Sequence, residues 1–420
     1  MGTSLLEPPI MVSAVTASAR AVRSILVVTY WSYADALIQT YTLPYLRIML
    51  SALPVGSRIH LITLEKSGAE REEIELEPGV TYHRVRYRAF GFGGMLMVAG
   101  MIYRSLRTIR RERIDTIHAW CTPAGMIGYL LSMITGRPLV IDSFEPHAEA
   151  MVENGTWCRS GPAFKVLFLF ERLQTARAKE LIAAASGMKE YALHAYGIAI
   201  KRYHVKPACV DLEKFSLRNV KRKELLELLG LHGKLVAVYA GKFGGIYLDQ
   251  EVFDLLRVAR DFWGQRFHVL LLTGHTLNSL LPFMERSGLD TSMFTVLSVA
   301  HKDVPDYIGL ADFALTPVRP VPTKRYCTPI KDGEYWALGL PVIITADISD
   351  DSEIIRTNDI GCVLERLDQP SYQRAIRKMD GILSTHTREE LFVRIRAVAE
   401  KYRNFRIAEK VYKDIYGTPK

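Results

Sequence analysis

From Ser24 onward, short apolar runs alternate with stretches of helical spacing, and the alternation passes through the chain twice. Residues 25–29, 58–64, 81–87, 115–119, 138–141 and 180–184 make up the first set of strand-like runs. Residues 34–53, 94–113 and 163–179 between them carry helical periodicity. Strands separated by helices of that length pair in parallel, and helices then cover both faces of the sheet. The pattern breaks at VKPACVDLEKF, residues 205–215, where a proline and polar residues interrupt it. A second set follows at 235–240, 268–272, 295–297, 313–315 and 342–345, with helices expected over 250–262 and 304–309. We therefore read an α/β chain of two facing Rossmann-like, doubly wound domains. Residues 1–22 are expected to be a flexible extension, 23–206 the first domain and 207–400 the second. The basic helical stretch 388–415 is expected to be continuous, with 401–420 crossing back to the first domain.

The length of 420 residues agrees with roughly two to three cores. With 49% hydrophobic and 24% charged residues, the chain has the balance of a folded protein. Its net charge of +9 suits anionic partners: nucleotide diphosphates, phospholipid surfaces or nucleic acid. Nucleic acid has only the charge in its favour, since no recognition module is present. The cysteines (Cys121, Cys158, Cys209, Cys327 and Cys362) are scattered and never in CxxC spacing. A zinc site or disulfide framework is not expected, and a reducing cytoplasm fits. No apolar run is long enough for a spanning helix, and residues 1–22 lack the pattern of a signal peptide.

In open parallel sheets, ligands collect beyond the carboxyl ends of the strands. YAGKFGG, residues 239–245, ends the first strand of the second domain. Gly241, Gly244 and Gly245 would let backbone N–H groups approach a phosphate, and Lys242 would add a point charge. A tight turn with one exposed lysine reads equally well. Gly274 after the next strand and Val299 after another could admit a ligand or a base edge, or simply turn the chain. The strongest segment is PIKDGEYWALGLPV, residues 329–342. Pro329 and Ile330 suit a helix start, and Lys331 and Glu334 stand one turn apart. A cation and a carboxylate so placed suit a phosphate and a ribose diol. The same spacing also suits a surface salt bridge on a helix stopped by Gly339.

Taken in order, these segments resemble the GT-B sugar transferases of glycosyltransferase family 4. YAGKFGG is similar to their phosphate loop, ADFALTP (311–317) to a strand of their donor domain, and VKPACVDLEKF to their interdomain linker. PIKDGEYWALGLPV is similar to their donor helix. The resemblance implies transfer of a hexose-type sugar, with retention, from a UDP- or GDP-linked donor, without a bound cofactor or metal. The acceptor would be a glycan or lipid-linked molecule of surface polysaccharide synthesis, and the leaving diphosphate would help accept the acceptor's proton. The sequence departs from the family in two places. Of the family's paired glutamates the second falls on Glu334, but the first falls on Tyr326. The second cation usual in the phosphate loop has no counterpart near Tyr247 and Asp249, which leaves Lys331 for that charge.

In the first domain, Glu145 and His147 follow the strand 138–141, where related enzymes carry a histidine near the sugar. They are the candidate catalytic residues. Tyr30, Trp31, His118 and Trp120 also follow strands and are candidates for the acceptor side, although His118 and the aromatics suit a core equally. The stretch 94–113 is apolar first and arginine-rich later, so it suits either an anionic membrane surface or a core helix with a solvated end. That would place the protein in the cytoplasm, peripheral at the inner face of the membrane. A sugar-nucleotide epimerase or a two-lobed binding protein would share the architecture. The epimerase would turn over its nucleotide sugar without an acceptor.

Overall fold

Seven parallel strands make the first sheet: β1 (Ser24–Val28), β2 (Arg58–Glu65), β3 (Val80–Arg86), β4 (Thr116–Trp120), β5 (Leu139–Phe144), β6 (Glu180–Ala183) and β7 (Tyr203–Val205). They lie in the order β3-β2-β1-β4-β5-β6-β7. The second sheet is β8 (Leu235–Ala240), β9 (Phe267–Leu272), β10 (Phe294–Leu297), β11 (Phe313–Thr316), β12 (Val342–Thr345) and β13 (Gly361–Leu364). Its order is β10-β9-β8-β11-β12-β13. Both are doubly wound, with the reversal between the first and fourth strands of each sheet. The computed structural model describes residues 22–35, 37–65, 77–88 and 92–417. The expected extension 1–22 lies outside the described residues except for Val22.

Each sheet is buried on both faces. Helices Phe92–Arg111 and Thr122–Thr135 pack on one face of the first sheet through Met97, Met101, Ile127 and Leu131. The other face is closed by helix Leu43–Ala52 and, from the far end of the chain, by helix Phe405–Tyr416. Tyr412 and Tyr416 enter the same cluster as Ile25 and Val27. The Tyr412 hydroxyl donates to Asp142 Oδ2 at 2.7 Å, and the Lys206 ammonium stands 3.2 Å from Oδ1 of the same carboxylate. Lys206 also lies 3.6 Å from the centre of the Tyr45 ring. These contacts hold Asp142 down to about 2 against a burial that would raise it.

Several elements differ from the sequence reading. β7 and β13 were not expected; each is a short edge strand without an alternating pattern. Helix Thr122–Thr135 carries no charged residue and so shows no polar face to reveal it. The stretch 388–415 is two helices, Arg388–Tyr402 and Phe405–Tyr416. Asn404 breaks it by capping the second helix, accepting from Arg406 N at 2.9 Å.

Candidate donor and acceptor site

The residues of the second domain converge where β8 ends. A Cβ on Gly241 would stand 2.7 Å from Lys331 Nζ and 2.8 Å from the Tyr239 hydroxyl, so this position has room only for glycine. Gly244 and Gly245 both have left-handed backbone, φ 78° and 64°, which turns the loop back on itself. Lys242 is exposed on that loop, and its carbonyl accepts from the Tyr239 hydroxyl. His275 Nε2 accepts from Phe243 N at 3.3 Å and ties the loop to the end of β9. Gly274 is exposed with open space around it, so packing does not require a glycine there. Val299 packs partly buried against the core.

Helix Ile330–Ala337 is fixed to both strands beside it. The Tyr335 hydroxyl accepts from Ala240 N at 2.9 Å, and Asp332 accepts from the Thr316 hydroxyl at the end of β11. A Schellman stop closes the helix: Leu340 N donates to Tyr335 O and Gly339 N to Trp336 O. Gly339 has φ 69°, and a Cβ there would overlap the Phe392 backbone. At the other end, Pro329 is the N-cap residue and Ile330 is exposed. Lys331 points inward. Its ammonium is buried with no hydrogen-bond partner, 4.6 Å from the Tyr239 ring centre and 4.1 Å from that of Tyr247. Burial brings it down to about 8. Glu334, half-buried one turn on, is pushed by burial up to about 7, opposed by the charges of Lys331 and Lys214.

Behind this helix, Asp332 and Asp351 are buried together, with Arg403 paired to Asp351. Burial raises both carboxyls. Arg403 also lies 5.1 Å from the Trp336 ring centre and packs on the bare Cα of Gly333.

Across the seam, His147 opens helix His147–Glu153, and its Nδ1 is 3.0 Å from Glu145 Oε1. Burial alone would lower the His147 imidazole; the Glu145 carboxylate holds it above its ordinary value, and the histidine in turn lowers Glu145. Lys324 and Cys327 of the second domain lie within the field of Glu145, and burial pushes the Cys327 thiol up to about 12. The domains are bridged close by. Ser186 N and Oγ donate to Asp350 at 3.0 and 2.7 Å, and the Thr328 hydroxyl donates to Ala184 O at 2.7 Å. Thr323 N donates to both oxygens of Glu153 at 3.2 Å. Tyr326 packs tilted against Tyr191, with ring centres 5.0 Å apart and planes at 56°.

Residues 38–209 match the family described as "Glycosyl transferase 4-like domain". Among solved structures, sucrose-phosphate synthase from Thermosynechococcus elongatus is similar with a TM-score of 0.71 at 14% identity, covering 94% of this chain and 98% of that one. WaaG, a glycosyltransferase involved in lipopolysaccharide biosynthesis, gives 0.68 at 14% identity, with 94% and 100% covered. Anabaena HepE in complex with UDP and glucose gives 0.67 at 17%, with the same coverage. The chain has the GT-B fold, with a glycosyl transferase 4-like domain over residues 38–209. No curated protein sequence matches it.

Not all the sequence candidates gather at the seam between the domains. His118 and Trp120 are enclosed in the first domain's core. His118 Nδ1 meets the Tyr416 hydroxyl at 2.7 Å, and Trp120 packs on Tyr41 and Tyr45. Both lie under helix Phe405–Tyr416, which brings its tyrosines to them from the far end of the chain. Tyr30 and Trp31 are partly buried against the core and keep some exposure at the end of β1. The sequence reading missed Lys324 and Cys327, although PVRPVPTKRYCTP (317–329) marks a strand-end loop. It also missed the ring pair around Lys331, which only the fold assembles.

Proposed function

We propose that the transferase moves a hexose from a UDP- or GDP-linked donor to a glycan or lipid-linked acceptor of surface polysaccharide, with retention at the sugar carbon. One observation carries the proposal: the buried ammonium of Lys331 has no hydrogen-bond partner and stands at the glycine loop. An unpaired buried cation is unfavourable until an anion neutralises it, and a diphosphate has the charge to do so. Lys242 adds charge from the exposed side of the loop, and the amino end of helix Ile330–Ala337 adds its dipole. Gly241, Gly244 and Gly245 would let the loop backbone approach the phosphates. In this arrangement Glu334 takes the ribose hydroxyls, Pro329 and Ile330 border the phosphates, and Gly274 and Val299 flank the base.

HepE, with UDP and glucose bound in a similar fold, supports a nucleotide-sugar donor here. In the proposed reaction, the acceptor oxygen bonds to the sugar carbon as that carbon's bond to the phosphate oxygen breaks. The acceptor's proton passes to the departing diphosphate. His147, held by Glu145, hydrogen-bonds the sugar, so positioning and charge carry the rate. The test is thermal melting against a panel of UDP- and GDP-sugars, followed by Glu334→Ala in calorimetry with the donor that stabilises most. Stabilisation by none of them overturns the proposal, and unchanged affinity in the variant removes the ribose assignment.

A further inference from the structure

Three neighbouring helices on one side of the first sheet turn apolar side chains outward. They are Phe92–Arg111, Thr122–Thr135 and Pro162–Arg177. The second and third meet edge-on through Tyr129 and Phe170, ring centres 6.0 Å apart, and the first packs beside the second. Met95 is 71% exposed, Tyr103 67% and Ile134 58%, with Met133, Val166 and Leu169 exposed beside them. Packing does not require this, because other residues of the same helices, Met97, Met101 and Leu131, already fill the core. So much large apolar surface on adjacent helices is more than the scattered exposure of a solvated face.

The charges on this face have one sign. Helix Thr122–Thr135 has no charged residue, and helix Phe92–Arg111 has arginines only. Helix Pro162–Arg177 has one carboxylate, Glu171, which is buried and taken up by Ala148 N and the Tyr196 hydroxyl. Arg107 and Arg110 are exposed on one flank, and Lys165 and Arg172 on the other. A second copy of the chain would bring like charge against this face. An apolar middle flanked by cations matches the boundary of an anionic bilayer, where arginine and lysine reach headgroup phosphates and methionine and isoleucine enter below them.

We propose that this three-helix face seats the transferase on an anionic lipid bilayer. Attachment is peripheral: among the described residues no helix is long and apolar enough to cross a membrane. Docking needs neither donor nor acceptor, so it stands or falls apart from the transfer reaction.

The full chain is sedimented with phosphatidylcholine vesicles with and without phosphatidylglycerol, in the absence of nucleotide sugar. It should bind only the anionic vesicles, and salt should release it. Met133→Asp with Ile134→Asp, and separately Arg107→Glu with Arg110→Glu, should each lower the vesicle partition at least about tenfold. Unchanged melting temperatures would show that both variants fold. No binding by the parent overturns the proposal, as does equal binding to neutral vesicles or indifference to both variants. A dimer in vesicle-free buffer that Met133→Asp dissolves would also overturn it, by assigning the face to a second copy.

Discussion

Lys331 Nζ stands 4.1 Å from the centre of the Tyr247 ring and 2.7 Å from the point where a Cβ on Gly241 would lie. The ammonium from helix Ile330–Ala337 thus fills the space left by a missing side chain in the glycine loop. It does so beside Tyr247. In the proposed site that ammonium and Lys242 both serve the diphosphate.

Gly241→Ala tests that arrangement with a single methyl group. The new Cβ must displace the Lys331 ammonium or the Tyr239 hydroxyl, and donor affinity should fall at least about tenfold, a loss of about 1.4 kcal/mol. Calorimetry with the stabilising nucleotide sugar reads it directly. Gly381→Ala, in helix Gln369–Thr385 where a methyl meets open space, should leave affinity unchanged.

Lys331→Met should separate stability from binding. The folded-state ammonium titrates at about 8, against an ordinary 10.5. Between those values the unfolded chain holds more protons, so stability rises with pH across the window; below pH 8 the whole penalty is present. Removing the charge should stabilise the ligand-free protein at pH 7 by about 1–3 kcal/mol in urea. The same variant should lose donor binding. A variant that is both less stable and fully able to bind would contradict the placement of the ammonium.

Glu145→Gln should change how His147 titrates. With that carboxylate gone, burial and Lys324 pull the imidazole down against Glu171 alone, so its proton should leave at lower pH than in the parent, as followed by NMR of the ring. His147→Ala should lower kcat on the order of a hundredfold with little change in donor KM, since the proposed contact is with the reacting sugar.

Arg403→Met should unsettle the donor helix from behind. It leaves Asp332 and Asp351 buried without their cation, and breaking a buried pair in this way costs about 3–5 kcal/mol. Adding Asp351→Asn should restore part of that loss, because the uncompensated charge goes with the carboxylate. Urea unfolding of the single and double variants measures both.

How much of this could be read from the sequence depends on how far apart the partners lie along the chain. The glycine loop and the donor helix are each continuous segments, so local spacing brought out Gly241, Lys331 and Glu334. Alternating runs likewise disclosed both doubly wound sheets. Helix Thr122–Thr135 was hidden because apolar residues surround it, and helical spacing across residues 402–405 concealed the break that Asn404 makes. His118 and Trp120 looked like cleft residues because strand ends usually are. Only the arrival of Tyr412 and Tyr416 encloses them, and no local pattern announces a partner some three hundred residues later.

The same arrival bears on when the first domain's packing can be completed. Tyr412 supplies a hydroxyl to Asp142 and helps seal the sheet that begins at Ser24, so the first domain lacks a wall until residue 416 has left the ribosome. Domains in general fold as they emerge, the first before the next. Here Asp142 and His118 lack their tyrosine partners until a helix translated after the whole second domain arrives, so the first domain's packing is complete only once the second has been made.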